Sequence, residues 1–410
     1  MSLQKEDPKI AKLIKAEEVY EQNTIDLIPS ENYCSSAVRE AMGSVLTNKY
    51  SEGYPHARYY AGQINIDEIE TIAQERALKM FKLSAKSWHT NVQSYSGSPA
   101  NFAIFIGLLE PGSKILGMKL DQGGHITHGL PISAGGKIFN FSSYGVNEIT
   151  GQLDYDEILR IAKKEKPKLI ICGATAYSRI IDFKKFSEIA KKVNAILLAD
   201  ISHISGLIVG GAHPSPFSYA DVVMTTTHKT LRGPRGAIII CKTEYAKQID
   251  RAVFPGIQGG PHDNVTAAKA VCFAEAMTPA FKLYAKQVVK NAKALARALK
   301  GRGFKIVSDG TDNHLMLVDL SIFDMTGKDA QLKLEEVGII CNKNTIPFDK
   351  QKPFIGSGIR IGTPALTTRS MKEKEMEIVA NLIAETLMDK KPISNIKKDV
   401  IKLCKSFPIK

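Results

Sequence analysis

The sequence predicts an α/β protein with a large domain and a smaller second one, and three observations predict it. Apolar, β-branched runs alternate with helically patterned stretches between about residue 66 and residue 225, the signature of a parallel sheet wrapped by helices. With 410 residues, 44% of them apolar, the chain is long enough to bury more than one core. After the turn-rich Gly301-Arg-Gly303 come shorter strand and helix patterns, which give a smaller α+β domain.

Taken in order, residues 8–22 set Ile10, Leu13, Ile14, Val19 and Tyr20 near one face of a helix, so an N-terminal arm over 1–45 should need another surface to cover it. The large domain is expected over 46–285, with a helix at 66–81 and strands at 89–93, 114–118, 169–173, 195–200 and 220–225. The run 237–241 follows Gly233-Pro-Arg-Gly236 too closely for a helical crossover and should return antiparallel. Helical patterns fill 265–299 and lead out of this domain. The small domain, 286–410, takes strands near 305–307, 314–320, 339–341 and 358–361 and helices near 328–336 and 372–388.

The formal charge of +13 invites a nucleic-acid reading, but the lysines are spread along helical faces and only 390–410 is locally basic. Specific nucleic-acid binding is therefore not expected, beyond a weak, salt-sensitive attraction to polyanions. The first residues carry charges where a signal peptide needs an apolar core, and no run of about 18 apolar residues occurs, so a soluble cytoplasmic protein is expected. Six scattered cysteines without paired spacing read as reduced thiols rather than a zinc site.

The chemistry is expected where strands end. Lys229, in Met224-Thr-Thr-Thr-His-Lys-Thr-Leu-Arg-Gly-Pro-Arg235, follows a buried strand, and desolvation with cationic neighbours would favour the neutral amine that attacks carbonyls. That is how a lysine holds pyridoxal phosphate. Asp200 closes an apolar strand, either capping the next helix or pairing with the cofactor's pyridine nitrogen, and His203 lies one turn beyond. Ser94-Tyr-Ser-Gly-Ser-Pro-Ala-Asn101 opens a helix and reads as a phosphate cradle or as an ordinary N-cap. Gly123-Gly-His-Ile-Thr-His-Gly129 offers two histidines with no carboxylate in register, so a ring stacked on a cofactor is preferred to a metal site, and no metal is expected. Arg360, in an apolar strand context, needs either a structural carboxylate or a substrate's.

Together these segments resemble the serine hydroxymethyltransferase family of pyridoxal-phosphate enzymes. The likeness runs through Leu27-Ile-Pro-Ser-Glu-Asn-Tyr33, Asn48-Lys-Tyr-Ser-Glu-Gly-Tyr-Pro55, Arg58-Tyr-Tyr-Ala-Gly62, Ser96-Gly-Ser98, the 123–129 and 200–206 segments, Thr225 to Gly236, Gly310-Thr-Asp-Asn-His314 and Ser357 to Pro364. It implies an aspartate-aminotransferase-like fold with a mostly parallel, seven-stranded sheet. It also implies a homodimer with shared sites, and transfer of the serine side-chain carbon to a tetrahydropterin such as tetrahydrofolate, leaving glycine. By this resemblance Lys229 forms the Schiff base, Asp200 faces the pyridine nitrogen, and His125 stacks on the ring. Ser96, Gly97 and Ser98 hold the phosphate, joined by Gly259 and Gly260 from the neighbouring subunit. Ser30, His203 and Arg360 surround the substrate carboxylate. Tyr50, Glu52 and Tyr60 come from the neighbour, with Glu52 managing protons. Thr226 assists proton handling, His228 sits beside the lysine, and Leu120, Gly124, Ile126 and Asn344 point to the pterin pocket.

Departures from the family pattern include Pro29, Thr175, Met224 and Asn264, none of which removes a catalytic group, and Gln122 and Ile126 beside the expected pterin wall. Tetrahydrofolate and a modified pterin both stay open as carriers. So do two other functions: a threonine-type aldolase that needs no carrier, and a basic RNA-binding protein that retains the fold.

Overall fold

The computed structural model describes residues 2–410, and in it the expected apolar runs become strands. In chain order these are β1 (Ile25–Asp26), β2 (Gly53–Tyr54), β3 (Ala57–Arg58), β4 (Trp88–Asn91), β5 (Lys114–Met118), β6 (Asn140–Tyr144), β7 (Leu169–Gly173), β8 (Ile196–Asp200), β9 (Val222–Thr226), β10 (Ala237–Lys242), β11 (Lys305–Ile306), β12 (Leu315–Asp319), β13 (Ile339–Ile340), β14 (Asn342–Asn344) and β15 (Gly358–Gly362). The chain divides into two units, Cys34–Lys286 and the residues up to Tyr33 with Gln287–Lys410. The division falls inside the helix Pro279–Lys300. No helix among the described residues is long and apolar enough to cross a membrane.

The larger unit is built on a seven-stranded sheet in the order β4-β10-β9-β8-β7-β5-β6. The ladder from β6 through β5, β7 and β8 to β9 is parallel, while β10 runs antiparallel to both β9 and β4, as the short connection before it requires. Every residue of β7 (Leu-Ile-Ile-Cys-Gly) and β9 (Val-Val-Met-Thr-Thr) is buried, as befits strands inside a sheet covered on both faces. Ile104 and Phe105 of the helix Gly97–Leu108 share a core with Ile171, Leu198, Val222 and Ile239. Because β4 and β9 both oppose β10, the carboxyl ends of β4, β5, β7, β8 and β9 lie along one edge, where α/β sheets gather ligands.

The helical patterns expected over 265–299 are present as two helices, Asp263–Ala276 and Pro279–Lys300, which break before Pro279 because proline opens a helix well and disfavours helical backbone in the residue before it. Two elements were not foreseen: the edge strand β6, and a helix, Ile393–Ser406, in the locally basic tail, which buries Ile396, Val400 and Leu403.

The smaller unit carries a sheet in the order β11-β12-β15-β14, antiparallel throughout, and β1 pairs in parallel with β13. Its core joins Ile25 and Leu27 to Leu334, Ile359, Val379 and Val400. Arg369, 2% exposed, ties the start of this unit to its end. Its guanidinium donates to the carbonyls of Gln22 (2.9 Å), Thr24 (2.9 Å), Cys404 (2.9 Å) and Phe407 (2.7 Å), satisfying acceptors that the ends of two helices leave over.

Candidate active site

Lys229 lies three residues beyond the end of β9. Its loop is pinned by hydroxyls: Thr227 Oγ1 donates to the Pro234 carbonyl (2.6 Å) and Thr230 Oγ1 to that of His203 (3.0 Å). Arg232 adopts a left-handed φ of 61° and sets its guanidinium 4.2 Å from the centre of the Tyr284 ring, a cation–π contact that anchors the turn. Lys229 is thus held 8% exposed and lines a small cavity with Gly97, His125, Asp200, His203 and Thr226.

The floor of this cavity is electrostatic. Asp200 Oδ1 accepts from Ser202 N (3.1 Å) and Ser202 Oγ (2.6 Å), while Oδ2 accepts from Asn101 Nδ2 (3.0 Å) and His128 Nε2 (3.1 Å). Burial alone would raise the carboxyl. The hydrogen bond from His128 and its electrostatic influence, with that of His125 and the Ser202 hydroxyl, outweigh burial and hold it well below the usual carboxylate range. The His125 amide donates to His128 Nδ1 (3.3 Å), so the His128 ring proton sits on Nε2, aimed at Asp200. His125 is oriented in turn by Thr127 Oγ1 at 2.8 Å from its Nδ1, and Asn101 Nδ2 also donates to that hydroxyl (2.8 Å).

The third feature is the start of the helix Gly97–Leu108. Its N-cap, Ser96, makes no side-chain capping bond, so the ordinary-cap alternative does not describe it. First-turn amides have no intrahelical acceptor, and a helix of 12 residues brings the positive end of its dipole to the same place. Gly97 packs closely on Thr226: a Cβ there would lie 2.8 Å from Thr226 Cγ2 and force a shift. The Ser94 hydroxyl and Asn101 Oδ1 are buried without a protein partner. An amine, an ionised carboxylate and an anion cradle around one cavity fit pyridoxal phosphate.

The remaining candidates fall into three groups. Tyr50, Glu52, Tyr60, Gly259 and Gly260 line no part of this cavity among the described residues and gather elsewhere on the larger unit. There Tyr50 and Tyr60 meet edge to face with ring centres 5.2 Å apart, and Cβ atoms built on Gly259 and Gly260 would come 3.2 Å from Glu52 Oε1 and 3.4 Å from the Tyr50 ring. Arg58 fixes Glu52 by gripping the carbonyls of Ser51 and Gly53 on either side (2.9 Å each), itself held by Asp67 (2.9 Å) and Glu70 (2.6 Å). Ser30, Asn344 and Arg360 belong to the smaller unit. There Arg360, central in β15, donates from Nε to Asn342 Oδ1 (3.1 Å), and burial pushes its guanidinium down to about 10. Leu120 and Ile126 are exposed in short turns, with Gly124 pressed against the Met118 carbonyl. Gln122, expected beside them, is turned inward: its Oε1 accepts from Val146 N (2.9 Å), which leaves Ile126 as the outward-facing departure.

His228 does not line the cavity. Burial, with the charges of Lys229 and Arg235, pushes it down to about 3, so it is neutral at neutral pH, and it accepts from Arg235 at 3.2 Å. Sequence reasoning missed Asn101, Thr127, His128 and Ser202, whose partners are brought to them by the fold. It also found no carboxylate in register with His125 and His128, yet Asp200 stands with them so that a ligand atom from each lies within 4.8 Å of the others. In this structure His128 and Asp200 spend those atoms on each other. Two roomier grooves, one beside Tyr155 and Lys185 and one beside Ile378 and Phe407, gather no nucleophile with a buried carboxylate.

Compared with known protein families, the chain matches the family described as serine hydroxymethyltransferase over residues 3–383.

Proposed function

Because the chain belongs to the serine hydroxymethyltransferase family, a family of pyridoxal-phosphate-dependent one-carbon transferases, we propose that it interconverts serine and glycine, passing the side-chain carbon to a tetrahydropterin. The observation that carries this reading is the pairing of Lys229 with an ionised, fully hydrogen-bonded Asp200 around one cavity. Bound there, pyridoxal phosphate supplies an electron sink for breaking the serine Cα–Cβ bond.

The chain's own groups have separable tasks. Lys229 would hold the cofactor through its amine, and Asp200 would keep a proton on the ring nitrogen because its own carboxyl is stabilised as the anion by His128, Asn101 and Ser202. His125, oriented by Thr127, would stack on the ring. Ser96, Gly97 and Ser98 would receive the phosphate on uncapped amides. Thr226 stands ready to exchange protons near Lys229, and a neutral His228 adds no further charge beside it. To Arg360, with Ser30 and His203, we assign the substrate carboxylate, since a bidentate guanidinium suits it. Leu120, Gly124, Ile126 and Asn344 are assigned to the pterin, with tetrahydrofolate as the first carrier to test.

Two observations support a homodimer with shared sites. Tyr50, Glu52, Tyr60, Gly259 and Gly260 form one cluster outside this chain's own cavity, as residues lent to a partner would. The helix Pro8–Asn23 buries none of its residues and leaves Leu13 57%, Ile14 49% and Val19 52% exposed, an apolar face that a second copy would cover. A cytoplasmic setting accompanies this reading.

The test is glycine formation from serine by the purified, cofactor-loaded protein with and without tetrahydrofolate. Carrier-dependent turnover is expected. Cleavage of β-hydroxy amino acids that is as fast or faster without a carrier would instead make the protein a threonine-type aldolase.

A further inference from the structure

Lys269 is 2% exposed, lies outside the cavity, and has no carboxylate within ion-pairing distance among the described residues. Its Nζ donates to three backbone carbonyls: Val92 (2.6 Å), Ser94 (3.0 Å) and Ala237 (3.0 Å). An ammonium group has three N–H donors, so three acceptors match its protonated form. Burying a cation among carbonyls alone is costly, and an apolar side chain of similar length would fill the space more cheaply. The three acceptors say what the lysine does there.

β4 and β10 are paired in a regular ladder as far as Asn91 and Ile239, beyond which the chain continues as two branches. One branch passes through Val92 and Ser94 into Ser96, Gly97 and Ser98; the other leads back from Ala237 through Gly236 into the loop of Lys229. One backbone bond, Ala237 N to Ser94 O (3.2 Å), joins the branches, and Lys269 adds a bridge between the Ser94 and Ala237 carbonyls. Its stem lies flat on Gly236, where a Cβ would come 2.6 Å from Lys269 Cε. Gly236 in turn holds Thr227, whose amide donates to its carbonyl (3.0 Å).

We infer that Lys269 is a positioning residue that sets the spacing between the anion cradle at 96–98 and the amine of Lys229, acting through the carbonyls of Ser94 and Ala237. The inference rests on the pyridoxal-phosphate reading of the site. A ligand that engages both ends feels this spacing, and one that engages a single end does not.

The experiment measures binding to the full-length protein of three probes: pyridoxal phosphate and pyridoxal by visible absorbance, and inorganic phosphate by calorimetry. Lys269→Met is expected to weaken pyridoxal phosphate at least tenfold while pyridoxal and phosphate stay within twofold of wild type. Gly236→Ala, which displaces the stem without removing the amine, should reproduce that pattern. If Lys269→Met does not fold, Gly236→Ala and Lys269→Gln decide. Variants that bind all three probes like wild type, or lose all three alike, overturn the inference. Wild-type protein that takes up no pyridoxal phosphate sinks the functional reading itself, an outcome distinct from a loaded wild type matched by its variants.

Discussion

His128 Nε2 donates to Asp200 Oδ2 across 3.1 Å, with both side chains buried. The bond makes a residue outside the expected set responsible for the charge state of one inside it. His128→Phe removes one of four donors to the carboxylate and should destabilise the fold by about 2 kcal/mol, the usual size for a hydrogen bond to a charged group. Urea denaturation measures this, and an unchanged midpoint would refute the assignment.

His228 gives the stability a pH dependence of known sign. Burial and its cationic neighbours push it down to about 3 in the folded chain, against about 6.5 when unfolded. Between those values the unfolded chain binds more protons, so stability is full above about pH 6.5 and declines as pH falls toward 3. His228→Asn should flatten that acid limb, read as urea midpoints from pH 7 down to pH 4. Equal slopes for both proteins would count against it.

Arg369 should resist conservative replacement. Arg369→Lys cannot reach carbonyls of both helix ends at once, because a compact ammonium replaces a planar fork. A loss of about 3 kcal/mol is expected from the acceptors left over, checked by thermal unfolding. A substitution that leaves the melting temperature alone would show the latch to be idle.

Shared sites predict complementation. Lys229→Ala and Glu52→Ala proteins should each be inactive, but unfolded and refolded together they should recover roughly a quarter of wild-type activity, since half the dimers are hybrids and each hybrid has one intact site. No recovery from well-folded mixtures would mean that each chain builds its site alone.

Much of the large sheet was legible because β5, β7, β8 and β9 are apolar runs bounded by turns, and their last residues announce what stands at the ligand edge. Lys229, Asp200, His125, His203, Thr226 and Gly97 share a cavity, Thr226 being pointed to by the family resemblance alone. β6, Asn-Phe-Ser-Ser-Tyr, was not legible because an edge strand that is half polar resembles a loop. The helix Ile393–Ser406 hid behind its lysines, although Ile396, Val400 and Leu403 recur at helical spacing. The Asp200 network was out of reach for a different reason. Asn101 and His128 lie 99 and 72 residues from Asp200, and no local pattern records a hydrogen bond that only the sheet order creates.

The central claim is that Lys229 is the residue that holds pyridoxal phosphate. Borohydride reduction of the loaded protein, with peptide mass mapping of the product, tests it directly. The account predicts one pyridoxyl adduct, on Lys229, absent from Lys229→Ala protein of unchanged circular dichroism. An adduct on Lys269, adducts scattered over surface lysines, or none at all would contradict it.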